Sequence, residues 1–478
     1  MNRREVYENP LLSRYSSKEM AGIFSENTKF STWRRLWIAL AEAEQALGLP
    51  ITDEQIAEMK AHADDINYED AERREAETRH DVMSHVYAYG LQCPNARPII
   101  HLGATSAYVG DNTDIIVMRS ALKLIASKLV RLLGTIARFA ETYKDTPTLG
   151  FTHFQAAQLT TVGKRASLWL QDFYLDYLEI KRLADELPLL GVKGTTGTQA
   201  SFVELFDGDL GKTGSLDAML AEKMGFSRVI ALSGQTYTRK IDSWVLNALS
   251  GIGQSANKMT NDIRLLQHLK EVEEPFESKQ IGSSAMAYKR NPMRSERVAS
   301  LSRYLINLAA DPAYTAATQW FERTLDDSAG RRIYIPQSFL TADAVLDICG
   351  NITSGLVVYE NVINERIMSE IPFMATENIL MEAVKKGGDR QDLHEKIRVH
   401  SMEAGKRVKE EGLPNDLLKR IAGDPAFGLT EDDIEKLLTP RDYVGRSAEQ
   451  VEEFITKYIQ PVLDENKDAI APEARLRV

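Results

Sequence analysis

Ile115, Met118, Leu122, Ile125, Leu129, Leu132, Ile136, Phe139 and Tyr143 follow one another at alternating steps of three and four. That spacing places all nine on one face of an α-helix, as a heptad stripe. At about 1.5 Å per residue the stripe alone is about 43 Å long. A face this long must be covered by other helices, which restricts the chain to a long-helix bundle. A second helix is predicted by Ile241, Val245, Ala248, Ile252, Met259, Ile263 and Leu266. Gly251, Gly253 and Ser255 lie inside it, and predict close helix–helix approach or a slight bend. A third is predicted from about Met293 through Leu308, and a fourth over 159–183. Alternating apolar–polar runs are scarce, with short strand candidates only near Gly191 and over 228–232. The fold is therefore expected to be mainly α.

Three regions are expected. The first, 1–105, is helical and ends where Pro94, Pro98 and Gly103 break the periodicity. The second, 106–358, is the central long-helix bundle. The third, 359–478, is a smaller helical region with loops at "KKGGDRQD" and "GLPND". Helices this long suggest a bundle extended by subunit association. One long bundle within a single chain is the plain alternative.

The net charge of −11 argues against DNA or RNA as a partner, since such binders carry a broad basic surface. Two cysteines in 478 residues cannot form a disulfide framework, so reduced thiols and a cytoplasmic location are expected. The opening "MNRREVYENP" has no apolar core of a signal peptide. No apolar run approaches about 18 residues, so no membrane span is expected. Familiar cofactor motifs fail their context. "FDGDLGKT" has Phe206 where a phosphate loop needs glycine, and "GIGQSA" lies inside a helical pattern with no preceding strand. His80 and His85 are five apart, on different helix faces, and the cysteines lack metal-site spacing, so no metal is expected.

Three segments combine glycine, hydroxyls and titratable groups: "RHDVMSH" with "HLGATS", "TLGFTHFQAAQ", and "IGSSAMAYKRNPMRSER". Each alone has a plain reading. Thr152-His153 reads as a helix-start cap beside a core histidine. Gly282-Ser283-Ser284 reads as a flexible linker. Lys289, Arg290, Arg294 and Arg297 read as a solvated helix face, and Arg79-His80-Asp81 as a surface ion pair.

Together they read differently. Residues 282–292, G-S-S-A-M-A-Y-K-R-N-P, resemble the G-S-S-x-M-P-x-K-x-N-P loop of the fumarase/aspartase superfamily. The K-R-N-P form, with "RHDVMSH", "HLGATS", "GFTHFQ", "GVKGTTGTQAS", "GQTYTRK" and "WFERTLDDSAGRR", resembles the adenylosuccinate lyase family within it. The resemblance spans nearly the whole chain. It implies a three-domain fold of the fumarase/aspartase type and a homotetramer whose subunits share active sites. It also implies β-elimination of fumarate from adenylosuccinate and from succinyl-aminoimidazole carboxamide ribotide, without metal or organic cofactor.

Such an elimination needs a base for the carbon beside a carboxylate, an acid for the departing nitrogen, and positive charge for the carbanion. The resemblance makes Ser283 the base and His153 the acid. Lys289 would favour the serine alkoxide, and Glu296 would fix the tautomer of His153. Gly282, Ser283 and Ser284 would form a hinge that lets the loop close over substrate. Substrate contacts are implied for Arg14, Tyr15, Arg79, His80, Asp81, Thr105, Ser106, Thr152, Gln235, Asn291, Arg297, Arg323, Ser328 and Arg332. Guanidinium forks suit the phosphate and two carboxylates of such a nucleotide. Arg297 and Arg323 could equally be intrachain ion pairs, and Arg290 and Arg294 structural. Ala287 and Ala156 stand where the family has proline, which leaves a less stiffened chain there. Another superfamily lyase, such as argininosuccinate lyase or fumarase, and a non-catalytic relative are the rival readings.

Overall fold

The computed structural model describes residues 5–467 and Leu476. Five helices form the central bundle: α1 (Ser106–Thr142), α2 (Val162–Glu186), α3 (Lys240–His268), α4 (Met293–Leu308) and α5 (Asp327–Ser354). Helix α1 packs on α2 and α5; α3 packs on α2, α4 and α5; α4 packs on α5. The heptad stripe is the buried face of α1, from Ile115 to Phe139, with Tyr143 as its half-buried C-terminal cap. Each fully buried aliphatic side chain contributes about 2 kcal/mol, so one stripe carries much of the core.

The predicted close approach within α3 is present. A Cβ on Gly251 would lie 2.8 Å from Asp176 Oδ1 of α2, and one on Gly253 would lie 3.3 Å from the Ser302 carbonyl of α4. Glycine lets α3 lie tightly between its two neighbours.

The fourth predicted helix begins later than expected. Residues 159–161 belong to a β-hairpin, β1 (Pro147–Thr152) with β2 (Gln155–Thr161), and α2 starts at Val162. The sequence "TLGFTHFQAAQLTT" gave no clean alternation, because the hairpin bulges between Leu149 and Phe151 and its tip is exposed. The strand candidates near Gly191 and over 228–232 reduce to one parallel bridge, Leu189 with Val229. A short pair, Val272–Glu273 with Val357–Val358, ties the end of α3 to the segment after α5.

Residues 1–105 contribute helices Glu26–Ala46, Asp53–Ala61, Tyr68–Thr78 and Asp81–Gln92. The aromatic side chains of Glu26–Ala46 pack into the main core through Trp33 and Trp37. Beyond 374, Ile379, Leu393, Leu417, Ile421 and Phe427 form a separate small core. Val451, Ile459 and Val462 then return to the main one. No helix among the described residues is long and apolar enough to cross a membrane.

Two buried charge clusters cross the bundle. In one, Lys128 of α1 bridges Asp343 and Asp347 of α5 at 2.5 and 2.7 Å, and Arg131 joins Asp347 at 2.6 Å. Asp343 also accepts from the Ser17 amide at 2.6 Å and the Ser17 hydroxyl at 3.0 Å, which fixes the N-terminal segment to α5. The other cluster shapes the candidate site and is described with it.

Glu44 is fully buried, and neither of its carboxylate oxygens has a hydrogen-bond partner. Burial pushes its pKa up to about 8. The folded chain therefore keeps Glu44 protonated while the unfolded chain ionises it from about pH 4.5 upward. Stability is lost as pH rises from there to about 8 and then levels off, by at most about 5 kcal/mol. Glu44→Gln removes this slope. Thermal melts across that range should show the variant gaining on the wild type with rising pH, and parallel curves would refute the assignment.

Candidate active site

Four groups of the sequence-predicted residues are each assembled by local structure. The first lies where α1 and α5 begin. His80 is the N-cap of helix Asp81–Gln92, accepting from the Met83 amide at 3.3 Å through Nδ1. Its Nε2 stands 3.4 Å from Ser106 Oγ, the first residue of α1. Thr105 caps α1 with extended backbone, and its hydroxyl makes no capping bond. Asp81 accepts from Arg332 of α5 at 2.9 Å. Burial opposes the ionised form of Asp81, but the Val82 amide and Arg332 outweigh it and hold the carboxyl below its usual range. Arg79 sits beside them in left-handed backbone, φ 58°, at the C-cap of Tyr68–Thr78. Ser328 lies one turn before Arg332 on α5.

Lys29 belongs with this group although its sequence gave no signal. Its ammonium lies 4.9 Å from the ring centres of both Phe30 and Trp33. Burial, then the charge of Arg332, lowers its pKa, while Asp81 opposes the shift. His85, in the same motif as His80, is a core residue instead. It stacks on Phe30 at 3.7 Å, and burial drives its pKa down to about 4. His101 of "HLGATS" is likewise structural, accepting from Trp37 Nε1 at 2.9 Å.

The second group is Arg14, Tyr15 and Arg297. Arg14 and Tyr15 end a π-helical turn, Leu11–Tyr15, that packs on α5. The guanidinium of Arg297, from the second turn of α4, lies 5.8 Å from the Tyr15 ring centre, and that of Arg14 6.0 Å. The third group is Gln235 with Arg323. Arg323 donates to Gln235 Oε1 at 2.8 Å, and its Nε is buried without a partner. It forms no ion pair among the described residues, so the ion-pair alternative for Arg323 is corrected. A guanidinium held by a neutral amide keeps its charge available for an anion.

The fourth group is the loop before α4. Gly282 is buried, and a Cβ there would lie 2.3 Å from the Lys289 carbonyl. Gly282 is thus required for close approach within the loop, where the sequence suggested only hinge freedom. Asn291 Nδ2 donates to the Gly282 carbonyl at 2.6 Å, closing the loop on itself. Ser283 Oγ accepts from the Ala285 amide at 3.3 Å and the Met286 amide at 3.1 Å. Two amides aimed at one hydroxyl oxygen favour its ionised form. Lys289 is exposed on the same loop. Pro292 is the N-cap of α4, one position earlier than a first-turn proline. Arg294 is structural. It is buried, donates to the Pro275 carbonyl at 3.0 Å and pairs with Glu277 at 2.8 Å.

Thr152 and His153 stand apart from all four groups. Thr152 pairs with Gln155, so His153 and Phe154 form a two-residue hairpin turn with φ of 52° and 60°. Both positive φ values fit the turn type that joins twisted strands, though non-glycine residues adopt them at a cost. This corrects the helix-cap and core-histidine alternative. His153 is exposed at the hairpin tip, with no hydrogen bond to any described residue. Glu296, exposed on the first turn of α4, has no side-chain partner among the described residues either. Within one chain no hydrogen bond or ion pair joins His153 to Glu296, Ser283 or Lys289.

A buried network that sequence reasoning missed connects the first and third groups. Arg239, the N-cap of α3, donates to both oxygens of Asp111 of α1 at 3.0 and 3.1 Å, and to Asp327 of α5 at 2.6 Å. Arg331 of α5 donates to Asp242 of α3 at 2.7 Å and pairs with Asp114 of α1 at 2.9 Å. Tyr237 accepts from Arg331, donates to Asp242 at 2.6 Å, and gives its amide to Asp111 at 3.0 Å. Burial opposes the charge on Arg331, but Asp242 and the other anionic partners outweigh it and raise its pKa well above normal. The available signal was in "DDSAGRR", where two acids precede two arginines within two helical turns.

Residues 14–305 match the family profile described as "Lyase", and 372–454 match "Adenylosuccinate lyase C-terminus". Adenylosuccinate lyase of Saccharomyces cerevisiae is 54% identical over 460 residues, covering 96% of this chain and 95% of its own. The chain belongs to the adenylosuccinate lyase family. The Schizosaccharomyces pombe member of that family is 51% identical, with 98% of each chain covered. Two solved structures share the fold at lower identity. 3-Carboxy-cis,cis-muconate lactonizing enzyme from Pseudomonas putida has a TM-score of 0.81 at 22% identity, over 95% of this chain and 100% of its own. Fumarate lyase from Mesorhizobium sp. BNC1 has a TM-score of 0.79 at 21% identity, with the same coverage. The fold is thus the mainly helical one that the sequence predicted, shared with adenylosuccinate lyases and their relatives.

The buried network makes a direct prediction. Arg331→Leu leaves Asp242 and Asp114 without their cation, which costs about 3–5 kcal/mol. The midpoint of chemical denaturation should fall accordingly. An unchanged midpoint would show that the network does not hold the ends of α3 and α5.

Proposed function

We propose that this chain eliminates fumarate from adenylosuccinate to give AMP, and from succinyl-aminoimidazole carboxamide ribotide to give the carboxamide ribotide. The full-length identity of 54% to an adenylosuccinate lyase is the observation that carries the reaction. The roles of individual residues rest on the motif resemblance, with support from local geometry.

Ser283 takes the proton from the carbon beside a succinyl carboxylate. The electron pair moves into that carboxylate, then forms the carbon–carbon double bond as the C–N bond breaks. His153 gives its proton to the departing nitrogen. The two amides on Ser283 Oγ and the ammonium of Lys289 favour the alkoxide that this step needs. Arg323, Arg332, Arg297, Arg14 and Arg79 supply charge for the phosphate and carboxylates, with His80, Asp81, Thr105, Ser106, Thr152, Gln235, Asn291, Ser328 and Tyr15 orienting the substrate. Glu296 orients His153 once the two are brought together. No metal or organic cofactor has a role in this sequence of steps.

His153 and Glu296 are both exposed and have no side-chain partner among the described residues. A homotetramer in which one subunit's hairpin meets another's loop would complete the site, and α1 to α5 offer the long faces for it. A cytoplasmic location fits two free, buried thiols. Burial, then the charge of Glu58, pushes Cys93 up to about 12, so it stays an inert thiol at neutral pH.

Ser283→Ala and His153→Ala should each lose at least about a thousandfold in kcat, with substrate binding retained. Mixing the two inactive variants, with exchange of subunits, should restore part of the activity, because some mixed sites receive both intact residues. Ultraviolet absorbance of adenylosuccinate reads both results. Persistent inactivity of the mixture would contradict shared sites, and near-normal turnover by either variant would contradict its role.

A further inference from the structure

The C-terminal end of α3 presents Asn261, Arg264 and His268 on one face, at steps of three and four. Opposite them stand Arg290 and Pro292 of the Ser283 loop. Together they line a cavity of about 580 Å³, with Gln267 at its side and no carboxylate in its lining. In an acidic chain of net charge −11 this open groove stands out for having no carboxylate in its lining.

Its hydrogen-bond donors are incompletely satisfied. Arg264 donates to Asn261 Oδ1 at 3.1 Å, a neutral partner three residues back. His268 makes no hydrogen bond or ion pair with the described residues. Arg290 reaches Glu273 at 3.4 Å with one nitrogen and lies 5.3 Å from the Phe276 ring centre. Tyr359 is a second side-chain partner of Arg290, and about half of the Arg290 side chain (54%) stays exposed. Guanidinium forks bind oxyanions through paired donors, and a dianion gains most where two such forks and an imidazole line one space.

We propose that this cavity binds a small phosphate-class dianion, with Arg264 and Arg290 as its principal donors and His268 as a third. The cavity is joined to the reaction loop. Gln267 Nε2 donates to the Arg290 carbonyl at 3.0 Å, and the adjacent Asn291 closes the loop through Gly282. A seated anion therefore fixes Arg290, next to Lys289, and steadies the root of the loop. The effect on turnover rests on the assignment of Ser283, whereas the binding does not.

Calorimetric titration of the intact enzyme with inorganic phosphate tests this, with AMP and fumarate saturating so that the substrate's own anion contacts are filled. One binding event per chain is expected. Arg264→Gln should weaken it by about tenfold or more, and Arg264→Lys should retain most of it. A parallel titration with ribose 5-phosphate separates the sources. Tighter binding than the free ion assigns the cavity to a phosphomonoester, and equal binding assigns it to phosphate itself. No binding by the wild type, or equal binding by Arg264→Gln, overturns the proposal. Phosphate binding by a Ser283→Ala enzyme that still turns over would sink the loop chemistry and leave the anion site standing.

Discussion

The two arginines buried between α1, α3 and α5 are the constraint on which the rest of the structure depends. Arg239 and Arg331 cannot lose their charge, so each must find anions inside the bundle. Asp111 and Asp114 come from α1, Asp242 from α3 and Asp327 from α5. Hydrophobic faces alone would let these helices slide along one another, because a heptad stripe is nearly periodic. The ion pairs choose one register. They fix the ends of three helices, and side chains proposed to bind substrate sit at those ends. Arg331 turns inward to the network while its neighbour Arg332 turns outward to Asp81.

The second charge cluster does similar work for the N-terminal segment. Asp343 holds both Lys128 and Ser17, so the turn with Arg14 and Tyr15 is fastened to α5. The groups proposed to bind substrate are thereby held by rigid elements. The groups proposed for proton transfer are placed otherwise. Ser283 sits on an irregular loop closed by Asn291, and His153 on a hairpin tip whose turn carries two non-glycine residues at positive φ. Rigid binding walls with separately mounted base and acid suit a reaction in which protons leave one face and arrive at another.

The sequence was most readable where periodicity was strong. The stripe from Ile115 to Phe139 is buried as predicted, and the glycines at 251 and 253 lie where helices nearly touch. The hairpin that carries His153 was not read as strands: residues 159–161 were assigned to the following helix, because the bulge spoils alternation and the tip's apolar residues, Phe151 and Phe154, are exposed. The buried network was not read at all. Arg239, Arg331 and their four aspartates lie up to 220 residues apart, and spacing along the chain does not reveal partners across a bundle. The motif at 282–292 marked the loop proposed to carry the base, but not that Gly282 is needed for contact with Lys289. Lys29 had no sequence signal because its partners are aromatic rings and distant charges.

The central claim is that base and acid come from different copies of the chain and meet across the succinyl group. A crystal structure of the enzyme with AMP and fumarate bound tests it most directly. The account predicts Ser283 Oγ of one subunit and the ring of His153 from another within hydrogen-bond reach of opposite sides of the separated products, with Glu296 on the far ring nitrogen. Finding that serine and histidine both remote from fumarate, or both supplied by a single subunit, would contradict it.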